Sequence, residues 1–106
     1  MKLWIDDVRL APEGYIWVKS VNEAKKIISD ENNLITHIDL DHDAGDYASD
    51  GGDYIKVLDY IEELIRTSST LFSLSLQKMN YHIHSMNAVG RENMMRIIHK
   101  NGWEEV

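Results

Sequence analysis

Four carboxylates crowd the stretch DLDHDAGD: Asp39, Asp41, Asp43 and Asp46, with His42 among them. Like charges so close repel unless a cation, an arginine or water screens them, and hard cations such as Mg2+ favour such oxygen ligands. The plain alternative is a solvated acidic turn. An EF-hand is excluded, because its ligand spacing and terminal glutamate are missing. A second stretch, YHIHSMNAVGRENM at residues 81–94, gathers His82, His84, Ser85 and Asn87 before a predicted helix start. Imidazoles at i and i+2 share one strand face, where they could bind a metal or move protons near neutral pH. His84 stands at the strand end and is the candidate for chemistry. His82, further back, reads as an ordinary hydrogen-bonded strand histidine, and His37 and His99 read as surface or element-end residues. Ser85 lacks the strand–Gly-x-Ser-x-Gly–helix setting of a nucleophile elbow, but it can hydrogen-bond a phosphate or hydroxyl. Asn87 is expected to cap the helix, and Arg91 in its first turn opposes the dipole unless it faces an anion. The Gly-Lys-Ser/Thr of a phosphate-binding P-loop is absent. Asp6 and Asp7 are a weaker pair at the end of the first apolar run, and Arg9 behind them suits an anion or a carboxylate.

The elements must bring these groups together. Apolar runs predict strands near residues 2–6, 15–19, 34–40 and 80–85, with a last short strand in WEEV. Helices are predicted over 20–30, 53–66 and 88–100. Ser20 and Glu23 have capping-box spacing at the first, and Ile55, Leu58, Ile61 and Ile65 line one face of the second. Residues 67–80 fit two readings, since Phe72, Leu74 and Leu76 alternate with serines like a strand while a helix end plus loop also suits them. Strands alternating with helices predict an α/β sandwich with a mainly parallel sheet of four to five strands. Ligands in such folds sit at the carboxyl ends of the strands. Asp6–Asp7, Asp41–His42–Asp43 and His84–Ser85–Asn87 all fall there, so one cleft is expected to hold them.

Length and composition narrow the classes. A chain of 106 residues is expected to form a single domain over 1–106. No apolar run reaches a membrane span, and MKLWIDDV is charged too early for a secretory signal, so a cytoplasmic protein is expected. Without cysteine there is no disulfide, no thiolate nucleophile and no sulfur-ligated zinc. The net charge of −7 argues against broad, nonspecific DNA binding, which needs Lys and Arg to displace counterions. It leaves room for one local anion pocket, or for a basic protein as partner.

With these motifs assembled, the chain resembles the cyclic-phosphate processing receiver-like family, itself related to response-regulator receiver domains. The likeness runs through LWIDDVRLAPEGYIWVKSVNEA, IDLDHDAG and HSMNAVGRENM, the last being the most specific. Ala88 stands where the family usually has proline, Ala44 where it has leucine, and Asp39 at a serine-like position. The resemblance implies a three-layer receiver-like, flavodoxin-like fold and activity on cyclic phosphates of nucleotides or RNA ends. Two features depart from true receivers. VRLAPEGY is too short for a normal first helix, which thins one layer, and a late strand-end lysine is missing, which disfavours phosphotransfer signalling.

The leading functional expectation is a phosphoesterase acting on a cyclic phosphate. Asp6, Asp7, Asp41 and Asp43 would hold a divalent metal, Mg2+ or Mn2+, while His42 or His84 moves protons. Arg9, Ser85, Asn87 and Arg91 would hold the phosphate, with the N–H groups of Ala88, Val89 and Gly90 pointing outward. Two other classes compete: an acidic, noncatalytic protein that binds a basic partner surface, as a nucleic-acid mimic would, and a module that captures a cyclic nucleotide without hydrolysing it. An enzyme needs its strand-end groups converging in a cleft. A mimic needs its acids spread over a convex face.

Overall fold

The computed structural model describes residues 1–106. Its strands are β1 (Lys2–Ile5), β2 (Tyr15–Val18), β3 (His37–Leu40), β4 (Asn80–Ile83) and β5 (Glu104–Glu105). The helices are α1 (Val21–Ser29), α2 (Ile55–Thr67), α3 (Thr70–Gln77) and α4 (Ala88–Lys100). All strand pairs are parallel, in the order β2-β1-β3-β4-β5. This is the flavodoxin-like order, whose direction of winding switches between β1 and β3.

Local chemistry sets the helix starts. Ser20 Oγ accepts from Glu23 N at 3.1 Å, while Glu23 reaches back to Lys19 N, one residue before the cap. Asn87 Oδ1 accepts from Gly90 N at 2.9 Å and caps α4 as expected. Within the ambiguous 67–80 stretch, Thr70–Gln77 resolves as the separate helix α3, which Ser69 Oγ caps at Phe72 N. Phe72 and Leu76, four residues apart, face the core, whereas Leu74 and Leu71 face out. The serine alternation there mimics a strand, but burial follows the helical period. Residues 34–36, expected within β3, precede it, and the Gly45–Ser49 part of the expected loop forms a short 3-10 helix.

Handedness decides where the helices go. The crossovers β2–α1–β3, β3–α2–α3–β4 and β4–α4–β5 all travel the same way across the sheet. Right-handed crossovers in one direction place their helices on one face, and α2 accordingly packs against α1, α3 and α4. Leu3, Ile5, Val18, Ile38, Leu40 and Tyr81 fill the core beneath them. Only β1–β2 travels the other way, and residues 6–14 build no helix there. The layer that VRLAPEGY thins therefore carries none of the four helices. The opposite face displays two rows in register, Trp17–Trp4–Asp39–His82 and Tyr15–Lys2–His37–Asn80, half-buried or exposed.

Leu40→Ala removes a fully buried side chain in the central strand and is expected to cost about 2–5 kcal/mol, seen as a lower urea midpoint at unchanged m value. Leu71→Ala, on the outer side of α3, is expected to stay within about 0.5 kcal/mol of wild type.

Candidate active site at the strand ends

Asp6 follows β1 at the winding switch, and it is fully buried. Its Oδ1 accepts from the backbone N–H groups of Val8 and Arg9, both at 2.9 Å, which folds the chain sharply after the strand. Its Oδ2 accepts from His84 Nε2 at 2.8 Å. The other ring nitrogen, Nδ1, lies 2.5 Å from Asp39 Oδ1, which also takes His82 Nδ1 at 3.0 Å. A ring with a carboxylate on each nitrogen is best satisfied as imidazolium, which donates twice. Burial alone would depress the His84 pKa, but the hydrogen bonds and charges of Asp39 and Asp6 outweigh it and raise the value. Burial pushes Asp6 upward, yet the N–H groups of Arg9 and Val8, with His84, hold it below the usual carboxylate range.

The surrounding groups lock this arrangement. Trp4 stacks on His84 with ring centroids 3.9 Å apart and planes 3° from parallel. Its indole N–H donates to Arg9 O at 2.9 Å, Arg9 Nη1 donates to His84 O at 2.9 Å, and Trp17 Nε1 donates to Asp6 O at 2.8 Å. The strand ends of β1, β2, β3 and β4 are thereby tied through one charge cluster.

Beside it, Asp6, Asp7 and Asp41 bring their carboxylate oxygens within 4.8 Å of one another. Burial and the charges of Asp6 and Asp41 raise the Asp7 pKa. Gly45 (φ 54°) lies against Asp7, and a Cβ there would collide with Asp7 Oδ2. Asp43, expected in the same set, instead groups with His42 and Asp53. His42 Nδ1 lies 2.8 Å from Asp43 Oδ1, and Asn87 Nδ2 donates to the same carboxylate at 3.2 Å. The bond to His42, helped by Asn87, lowers the Asp43 pKa against a burial effect that raises it. Nε2 of His42 forms no hydrogen bond within the protein, so the two histidines differ. His84 can move a proton only by releasing a carboxylate, whereas His42 is oriented at one nitrogen and available at the other.

The phosphate-side residues separate as well. Asn87 joins the His42 group, and Arg9 reaches the strand end of β4. Ser85 Oγ accepts from Asn87 N at 3.0 Å and shapes the turn. The Arg91 side chain makes no hydrogen bond or ion pair to the other candidates; it lines a hollow on α4 with Ala88, Glu92, Met95, Arg96 and His99. Gly90 faces His42, and one residue further the helix turns about 100° away. The N–H of Gly90 is taken by the Asn87 cap, so the outward-pointing set expected at residues 88–90 reduces to Ala88 and Val89. The close approach that Gly90 permits is to an imidazole, since a Cβ would lie 2.6 Å from His42 Cδ2. Sequence reasoning passed over Asp53, which reaches the site from the start of α2 by accepting from Ala44 N at 3.0 Å. It also passed over Trp4, whose apolar strand context gave no sign of a stacking role.

Two expectations follow. Gly90→Ala is expected to displace the His42 ring, shifting its imidazole NMR signals strongly while far-UV circular dichroism is kept. His84 has a folded pKa above its unfolded value of about 6.5, so its pairing stabilises the fold fully below that pH and is lost as pH rises through the folded pKa. The stability gap between wild type and His84→Gln in urea is therefore expected to shrink across that window. A gap that stays flat would contradict the imidazolium.

Comparison with known proteins agrees with this architecture. No curated protein and no solved structure matches the chain. A family model does match, over residues 1–100, described as the cyclic-phosphate processing receiver domain. With a parallel receiver-like sheet, an acidic cluster at its switch point and nearly the whole chain covered, this protein belongs to the cyclic-phosphate processing receiver family.

Proposed function

We propose that the protein is a phosphoesterase that opens a cyclic phosphate diester of a nucleotide or RNA end to the monoester. The observation that carries this reading is the adjacency of two unlike groups: the oxygen-only set Asp6–Asp7–Asp41, and the His42–Asp43 pair with a free Nε2. The first set fits a hard divalent cation, Mg2+ or Mn2+, because three carboxylates converge, and burial together with the charges of Asp6 and Asp41 raises the Asp7 pKa. When bound, such an ion supplies charge neutralisation and Lewis-acid polarisation of a phosphoryl oxygen.

The chain's own residues supply the rest. His42 Nε2 takes a proton from the attacking water, while Asp43 holds the ring through Nδ1 and stabilises the imidazolium that forms. The water oxygen bonds to phosphorus, one ring P–O bond breaks, and the leaving oxygen receives the proton from His42. Ala88 and Val89 offer the N–H groups of a helix start, which favours an anion. Arg9 adds a fixed positive charge beside the β4 strand end, and Ser85 and Asn87 hold the turn that carries the helix start. Arg91 has no part in this scheme, and His84 keeps Asp6 and Asp39 in place as a buried counter-charge.

The acidic-mimic alternative draws less support. Asp39, Asp43, Asp50 and Asp53 each accept a hydrogen bond from, or pair with, a group of the protein itself.

The test is a ³¹P NMR screen of cyclic phosphates with Mg2+ and with Mn2+. Ring opening to a monoester is expected, with His42→Ala lowering the rate by about 10²–10⁴ and Asp41→Asn abolishing metal dependence. Unchanged turnover in His42→Ala, or none in wild type with either ion, would overturn the proposal.

A further inference from the structure

The sheet face without helices carries chemistry that the strand-end site does not use. Trp17 and Trp4 stand side by side in register on β2 and β1. Tyr15 meets Trp4 edge to face at 6.2 Å. Two ammonium groups lie over this aromatic surface: Lys19 Nζ is 4.4 Å from the Trp17 ring centre, and Lys2 Nζ is 5.6 Å from that of Tyr15. The carboxylate in the two central rows, Asp39, is already engaged by His82 and His84. On a chain of net charge −7, this face is thus locally cationic and aromatic. It is also continuous with the strand ends, since Trp4 stacks on His84 and Trp17 donates to the backbone of Asp6.

Aromatic rings beside cations complement one ligand chemistry well: a flat, π-rich ring attached to an anion. Saturated cyclic phosphates offer the anion without the ring. We infer that the open face is the base-recognition surface of the site, with Trp17 as its stacking platform, so that the nucleotide is held by its base as well as by its cyclic phosphate. The inference rests on the proposed function for its phosphate half and on the aromatic face for its base half. In the free protein Lys19 occupies the Trp17 ring. An incoming base replaces the ammonium there, and the long flexible stem of Lys19 lets the released charge pair with the phosphate. Trp17 lies on the edge strand β2, with a sheet neighbour on one side only, so a ligand can approach without disturbing the core.

The experiment is an NMR titration of the full chain following the indole N–H signals of Trp4, Trp17 and Trp103. Trp103 packs on Tyr81 and is buried, which makes it the internal control. The probes are adenosine 2′,3′-cyclic phosphate, adenosine 5′-monophosphate and the cyclic phosphate of ethylene glycol. The adenosine cyclic phosphate is expected to bind about 5- to 100-fold more tightly than the ethylene glycol compound, the range of one stacked base. The Trp17 signal should move and the Trp103 signal should not. Trp17→Leu is expected to erase that preference and Trp17→Phe, which keeps a ring but like Leu lacks the indole N–H bonded to Asp6 O, to restore part of it, so the difference between the two variants reads the stacking alone. Equal affinity for the two cyclic phosphates overturns the base surface and leaves the phosphoesterase reading standing. Adenosine 5′-monophosphate moving Trp17 without ring opening of any cyclic phosphate upholds the base surface and sinks the phosphoesterase. A Trp17 signal that ignores every nucleotide overturns the inference even if both variants fail to fold. So does one that moves only with protein concentration, which would place a second copy on this face.

Discussion

A carboxylate with no solvent exposure, Asp6, organises this molecule. An unpaired buried charge would cost several kcal/mol, so every oxygen must find a donor. Asp6 does so with two backbone N–H groups and one imidazole, and each donor fixes a different part of the fold. The N–H groups bend the chain into the 6–14 connection. The imidazole pins the end of β4 across β3 to the end of β1. Because His84 is itself held on its far side by Asp39, the cluster has alternating charge and no loose end. Trp4 then closes the flank by stacking, excluding water from the pair.

The second constraint is the hand of the crossovers. Three connections travel one way across a parallel sheet and must lay their helices on the same face. The lone reverse step, β1 to β2, is a short irregular segment, so it cannot shield the other face. That asymmetry gives the protein two surfaces of different character meeting at the strand ends: an acidic rim, and an aromatic sheet face with lysines. A full second layer would have buried Trp4, Trp17 and Tyr15 as core.

Within the rim, packing sorts carboxylates that are neighbours in sequence. Asp41 and Asp43 are two residues apart yet serve different groups, because the chain leaves β3 and turns toward α2 between them. Gly45 and Gly90 mark where backbone comes closest, one against Asp7 and one against His42. Any side chain at these points would push the acidic set or the imidazole out of place. The electrostatic outcome follows from this sorting: Asp7 is raised by burial and by its like-charged neighbours, whereas Asp43 is lowered by its histidine and asparagine.

Much of this was legible in the chain. Apolar runs near residues 2–6, 34–40 and 80–85 located the strands, and the periodic apolar faces located α1, α2 and α4, because burial and hydrogen bonding along one element depend on neighbours in sequence. The polar groups at strand ends were legible as a cluster for the same reason, once parallel strands were inferred. What could not be read were pairings across the sheet and between loops. Asp39 serving both histidines, Asp53 joining His42, and Arg91 lining the α4 hollow depend on register and helix rotation. These are set by distances between residues dozens of positions apart. Residues 67–80 show the limit most plainly: serine alternation and helical spacing coexist there, and packing of Phe72 and Leu76 against the core chose the helix. The residue types settled which groups could carry charge, cap a helix or stack, since those are properties of single side chains. Which of them meet was left to the sheet order and its one-sided helices, because contact is a property of pairs that only the folded chain brings together.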